Sequence, residues 1–440
     1  MKLSTASCLA WARNHRWPLI LAILGTLLRL ALIAGTLHHE RFFDEEDYHT
    51  IGLHLSQGMG FKDGLYAVTM HDGKPVVVDK TYFTAYRAPG QPVLVALVYG
   101  VLAHTPPILT QHLPVVLRSN PAVFVEIVEA LLLAVLPFVC ARLGLALGLS
   151  PLAANLAAAL AAFHPALAYA SITLYPTVLT TTALTLGVWY SWQCIEQNRI
   201  SRAVAAGVAL GIAGAATTTF APAAFLAAVI LVLKKRMRMA IIVLAIGLAP
   251  ALAWMMRNQR MLGDFTLATN GGYNLELGAN DRATPRSGNW VELPQDWAKG
   301  EVYLDHADRK QAADWIHVHR SRYAELVVLR ALAVFDSIGK PKSEGLHSSR
   351  LARLVGYALL PVMILGAFGL ILYGRHPLAW LTAAALGLVI LSSAATIAKP
   401  RFRFPCDPLL GVFAVGSVAK IMQGRLLASS EEHPSSATSM

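Results

Sequence analysis

The chain has 440 residues, 55% of them hydrophobic and 14% charged, with a mean hydropathy of +0.50. Soluble domains carry roughly 25% charged residues, so the composition excludes a water-soluble globular protein. Lys plus Arg number 37 against 26 Asp plus Glu, a formal charge of +11. The basic residues fall in short clusters between long apolar runs, the pattern of a multi-pass membrane protein and not of a nucleic-acid surface. Cys8, Cys140, Cys194 and Cys406 are scattered, without the spacing of a disulfide framework or a zinc site.

A bilayer core takes about 20 mainly apolar residues per helix. Residues 17–37 meet that length behind Lys2, Arg13 and Arg16, which predicts a retained first span with its N-terminal side in the cytoplasm. The loop that follows, 38–88, opens with Phe42-Phe43-Asp44-Glu45-Glu46-Asp47-Tyr48. Asp44, Asp47, Tyr48 and Ile51 stand at i, i+3, i+4 and i+7, so a helix here puts both carboxylates and the tyrosine on one face. Carboxylates one turn apart can hold a divalent cation or activate a hydroxyl or amine. The same spacing also makes a helix N-cap with an acid at its third position. Asp72-Gly73, with apolar residues on both sides between 68 and 78, predicts a β-hairpin. Arg87 then stands at the expected membrane edge, where a guanidinium grips phosphate or snorkels to the interface.

Further apolar runs cover 121–141, 152–170, 177–195, 203–217, 220–233, 239–256, 352–373, 378–397 and 407–421. The stretch 93–103 breaks the alternation if it spans alone. It is either a re-entrant segment or pairs with 106–117 as a short hairpin. Arg199 and Arg202, the Lys234-Lys235-Arg236 run with Arg238, and Lys420 with Arg425 are expected on the cytoplasmic side. That arrangement puts loops 38–88 and 257–350 and the turn 399–405 outside.

The second loop starts with Arg257-Asn258 and continues into Thr269-Asn270-Gly271-Gly272-Tyr273-Asn274, whose glycines allow tight turns that can cradle an anion. Apolar periodicity over 305–335 predicts one amphipathic helix along the membrane surface. The last turn, Lys399-Pro400-Arg401-Phe402-Arg403-Phe404-Pro405, puts three cations where the inside bias disfavours them, and a lipid-linked phosphate or a phospholipid headgroup would partner them. No segment matches G-x-x-x-x-G-K-[ST], which excludes a P-loop motor on this chain.

Taken in order, these pieces resemble the GT-C integral-membrane glycosyltransferases, a group that includes protein O-mannosyltransferases and the lipid A aminoarabinose transferase. The motifs that carry the resemblance are Asp-Glu-x-x-Tyr with Leu-x-x-Gly-x-Gly-Phe over 44–61, Arg-x-Pro-Gly-x-Pro over 87–92, Arg-Asn with Gly-Gly-Tyr-Asn-Leu over 257–275, and Arg-x-Arg-x-Pro over 401–405. The resemblance implies an all-α polytopic membrane fold of roughly 10 to 12 spans. It implies one transmembrane domain over 1–421, with 422–440 as a disordered cytoplasmic tail.

It further implies a donor sugar carried on a polyprenyl phosphate, an active site on the extracytoplasmic face of the cytoplasmic membrane, and an acceptor that is lipid, glycan or protein. Nucleic acid is not an expected partner. Asp44 maps onto the catalytic carboxylate of the family, as general base or metal-linked acid, with Asp47 second; together they are the expected ligands of a divalent cation such as Mg or Mn. Arg87, Arg257, Arg401 and Arg403 are the expected donor-phosphate contacts, and Glu45, Tyr48, Tyr273 and Asn274 the expected substrate contacts.

Two departures stand out. Tyr175-Pro176-Thr177 lacks the acid many relatives have at this step, and Gly278-Ala279-Asn280-Asp281 replaces their Gly-Asn-Asn-Pro. A transporter or flippase of lipid-linked intermediates is the competing class. It would need ionisable residues along a mid-span pathway, for which Arg29, Glu126 and Glu129 are the candidates.

Overall fold

The computed structural model describes residues 16–37, 44–64, 66–71, 74–79, 81–106, 114, 117, 119–285, 299–336 and 349–431. Cys8, Lys2, Arg13, Phe42 and Phe43 lie outside these residues, as do most of the 106–117 stretch and the end of the tail.

The chain folds mainly as helices: α1 (Arg16–Gly35), α2 (Asp44–Ser56), α3 (Gly90–His104), α4 (Ala122–Leu133), α5 (Leu136–Ala146), α6 (Pro151–Ala162), α7 (Pro165–Ala170), α8 (Thr177–Gln197), α9 (Ile200–Ala216), α10 (Ala223–Leu233), α11 (Met237–Leu262), α12 (Gly271–Gly278), α13 (Glu301–Val318), α14 (Arg320–Ala333), α15 (Ser349–Leu372), α16 (Pro377–Ala395) and α17 (Asp407–Glu431). Their ends follow local chemistry. Pro151 opens α6 at a position where its missing N–H costs nothing, and Ser150 Oγ caps it by accepting from Ala153 N at 3.3 Å. Asn198 (φ 50°) and Gly263 (φ 79°) close α8 and α11 in the left-handed conformation.

Among the described residues, six segments are long and apolar enough to cross a membrane: Arg16–Gly35, Ala122–Ala146, Pro151–Ala170, Met237–Leu262, Pro377–Ala395 and Pro400–Gln423. Shorter apolar helices cover Gly90–His104, Ile200–Ala216, Thr218–Leu233 and Gly356–Leu372. Among the described residues six helices meet the length and four shorter apolar helices fall below it, against the roughly 10 to 12 spans expected. Several apolar runs are cut short by Gly, Pro or basic residues, and α8 carries Thr, Trp, Tyr, Ser and Gln along its length. Residues 93–103 are helical, as α3.

The helices pack around small residues. A Cβ at Gly366 or Gly369 of α15 would collide with the Leu410 or Phe413 carbonyl of α17, so this close approach requires glycine. The largest buried cluster gathers residues from α4 to α11 and from α15 to α17, including Leu136, Leu184, Leu210, Leu231, Val389 and Leu410.

Two expectations are corrected. The fold is not purely helical: β1 (Lys62–Asp63) pairs antiparallel with β4 (Tyr82–Phe83), and β2 (Tyr66–His71) pairs with β3 (Lys74–Asp79) in the hairpin signalled by Asp72-Gly73. The single helix expected over 305–335 is two, α13 and α14, broken at His319. The last helix, α17, spans Asp407–Glu431.

Candidate functional site

The first loop, the second loop and the 399–405 turn meet at one place. Asp44 and Asp47 occupy the first turn of α2, where acids suit the helix dipole. Arg87 Nη2 donates to Asp44 Oδ1 at 2.7 Å, and its Nε donates to Asp47 Oδ2 at 2.8 Å. From the far end of the chain, Arg401 Nη2 donates to Asp44 Oδ2 at 2.9 Å. One carboxylate is thus held between two guanidinia, and all four side chains keep partial access to solvent.

Aromatic rings flank the guanidinia. Arg87 lies 5.0 Å from the Tyr86 ring centre and 5.7 Å from that of Tyr48, and Arg401 lies 4.5 Å from that of Tyr175. Tyr175 also hydrogen-bonds Arg401. This tyrosine comes from the Tyr175-Pro176-Thr177 step, so the segment that lacks an acid still supplies a side chain to the site. Burial is the largest influence on Asp44 and pushes its carboxyl up. Arg87, Arg401 and Lys399 together outweigh it and hold Asp44 well below the usual carboxylate range. Asp47 ends above its usual value, because burial and the neighbouring Asp44 and Glu46 outweigh Arg87. Burial pushes the Tyr48 phenol up to about 12.

The surrounding frame is built by residues with no obvious motif. Glu301, at the start of α13, accepts from Thr84 Oγ1 at 2.7 Å and from Ala85 N at 2.6 Å. Thr269 N donates in turn to Ala85 O at 3.2 Å. The segment that leads into Arg87 is therefore anchored at two points of the second loop, Thr269 and Glu301. Arg257 belongs to this frame and not to the clamp. Its Nη1 donates to Thr84 O at 2.7 Å and its Nη2 to Phe61 O at 3.0 Å, beneath the rings of Phe61, Phe83 and Trp254.

The other expected residues separate. Arg403 is fully buried and donates through Nε to Asp407 Oδ1 at 2.7 Å and through Nη1 to Val334 O at 2.6 Å, so it ties α17 to α14 and is closed to a lipid phosphate. Glu45 is buried and accepts from Leu174 N at 3.3 Å, which positions Tyr175 from behind. Tyr48 is buried under Arg87. Tyr273, half-buried on α12, lies near enough to act electrostatically on Tyr86, and Asn274 sits beside it on the same helix.

As cation ligands the two aspartates fit poorly. Both Asp44 oxygens already accept from arginine, and among the described residues no three His, Cys, Asp or Glu side chains converge as a ligand set. Arg29 donates to Ala162 O at 2.8 Å, and Glu129 accepts from Gln91 Nε2 at 2.7 Å.

No family model matches the chain, and no curated protein matches it. Among solved structures it is similar to the archaeal oligosaccharyltransferase AglB from Archaeoglobus fulgidus, in complex with an inhibitory peptide and a dolichol-phosphate. The TM-score is 0.46 and the identity 12%, over 98% of this chain and 53% of that one. The chain thus spans about half the length of that enzyme.

Proposed function

We propose that the chain is a membrane glycosyltransferase that moves a sugar from a polyprenyl-phosphate donor to an acceptor hydroxyl or amine on the side of the membrane away from the cytoplasm. The observation that carries this reading is the Arg87–Asp44–Arg401 clamp. Guanidinia held in fixed orientation, partly open and next to a bundle of apolar helices, suit a phosphate whose tail stays in lipid. The order of motifs from Asp44 to Pro405 supports the same reading.

A sugar on a polyprenyl phosphate already carries an activated leaving group, so the chemistry reduces to neutralising the departing phosphate and taking a proton from the acceptor. Arg87 and Arg401 serve the first task. Asp44 aligns them and balances their charge; with its proton affinity so depressed, it is a weak base. A single displacement of this kind inverts the anomeric centre.

The test is reconstitution in proteoliposomes with a panel of radiolabelled polyprenyl-phosphate hexoses and pentoses, with an envelope fraction of the source cells as the acceptor pool. Label moving from lipid to acceptor is the expected result. Label that crosses the bilayer while still on its lipid would make the chain a flippase, and label that does neither would make it a non-catalytic subunit.

A further inference from the structure

The clamp leaves open which group takes the acceptor's proton. Three carboxylates gather here, and they differ in how heavily arginine holds them. Asp44 accepts from two guanidinia. Asp47 commits one oxygen to both Nε and Nη2 of Arg87. Asp63, among the described residues, accepts only from the backbone N–H of its neighbour Gly64, at 2.8 Å.

Asp63 is nevertheless held in place. It lies opposite Tyr82 in the β1–β4 ladder. His54 Nδ1 bonds the Lys62 carbonyl at 2.9 Å, and Arg257 fixes the carbonyls of Phe61 and Thr84 on the two flanks of that ladder. The charged and titratable groups around Asp63 are Asp47 and His54 of α2, Arg87 from the approach to α3, and Tyr82 of β4. The adjacent Lys62 points its ammonium over the Phe83 ring, 5.0 Å from its centre.

We propose that Asp63, partly exposed and free of any guanidinium bond, is the general base of the transfer; this rests on the glycosyltransferase reading above. In the step, the acceptor oxygen or nitrogen bonds to the anomeric carbon. The bond from that carbon to the phosphate oxygen breaks, its electron pair leaving on the phosphate at Arg87 and Arg401. The acceptor's proton passes to the Asp63 carboxylate. Burial, and next the charge of Asp47, push Asp63 up to about 6, so it is ionised at neutral pH yet still basic enough to accept. Asp44 and Asp47 hold the cations in register, while Asp63 works beside them.

The experiment measures transfer from a radiolabelled polyprenyl-phosphate sugar between pH 5 and 8 for the parental protein, Asp63→Asn and Asp63→Glu. Asp63→Asn keeps the oxygen that accepts from Gly64, and it is expected to lower kcat about 100-fold or more while KM for the donor changes less than about 2-fold. The parental acid limb, with a midpoint near 6, is expected to vanish with it. Asp63→Glu should recover part of the rate together with the limb, and it decides the matter if the Asn variant folds poorly. Parental rates in both variants, or a slow Asn variant that keeps the acid limb, would overturn the assignment and point to Asp47. Absence of transfer by the parental protein would instead sink the glycosyltransferase reading and this base with it.

Discussion

Arg401 Nη2 reaches Asp44 Oδ2 at 2.9 Å, joining residues 357 positions apart in the chain. On the opposite edge of the same carboxylate, Arg87 completes the clamp at 2.7 Å. Substitution of either partner therefore acts on both arginines. Asp44→Asn keeps the size and some capping capacity but turns one acceptor edge into a donor facing a cation. Transfer is expected to fall by about 100-fold or more, with the protein still inserted and folded. An Asn variant that works at the parental rate would refute the clamp's role.

Arg401 and Arg403, two residues apart, should fail in different ways. Arg403 is fully buried with Asp407, and removing it leaves a buried carboxylate without its partner. Arg403→Ala is expected to destabilise by about 3–5 kcal/mol. Arg401 is partly exposed, and Arg401→Ala should abolish transfer at a stability cost of about 1 kcal/mol or less. Thermal unfolding in detergent, run beside the transfer assay, separates the two. Equal melting shifts would contradict the division of labour.

Glu301 supports the site at a distance. Glu301→Ala removes the acceptors of Thr84 Oγ1 and Ala85 N and should cost about 1–3 kcal/mol. It should also lower transfer, because the backbone that carries Tyr86 and Arg87 loses its anchor. Glu301→Gln keeps an acceptor for Ala85 N and should behave close to the parental protein. An Ala variant with unchanged melting temperature and rate would show that Thr269 and Arg257 suffice to hold the strand.

The Glu276 carboxyl on α12 is pushed up, first by burial and then by the charge and hydrogen bond of Asp308 on α13. A carboxyl whose folded pKa is raised contributes stability that is complete below its unfolded value, near 4.5, and is lost as pH rises through the folded value. Contact between these helices should therefore loosen as pH rises from near 4.5 to about 7. Glu276→Gln should flatten that dependence; a melting temperature as pH-sensitive as the parent's would rule this pair out as its source.

Some of the site was legible in the residues alone. The i, i+3, i+4 spacing of Asp44, Asp47 and Tyr48 foretold α2, and the basic residues of loop 38–88 and of the last turn included both arginines of the clamp. Arg401 and Arg403 cannot be told apart in the turn itself, yet the first reaches Asp44 and the second is buried against Asp407. Its i+4 relation to Asp407 was the available sign of a structural pair. Asp63 followed by Gly64 reads as an ordinary turn, and only the ladder with Tyr82 and the nearness of Asp47 distinguish it. Glu301 has no sequence signal at all, since its partners lie more than 200 residues away.

The span between Asp44 and Arg401 also has a consequence in time. At synthesis rates of about 5–20 residues per second, the second arginine emerges on the order of 20 to 70 s after the aspartate. Until then the first loop holds a half-built clamp in which Arg87 alone faces both Asp44 and Asp47, one positive charge against two negative. The clamp is complete only when the last turn arrives with Arg401.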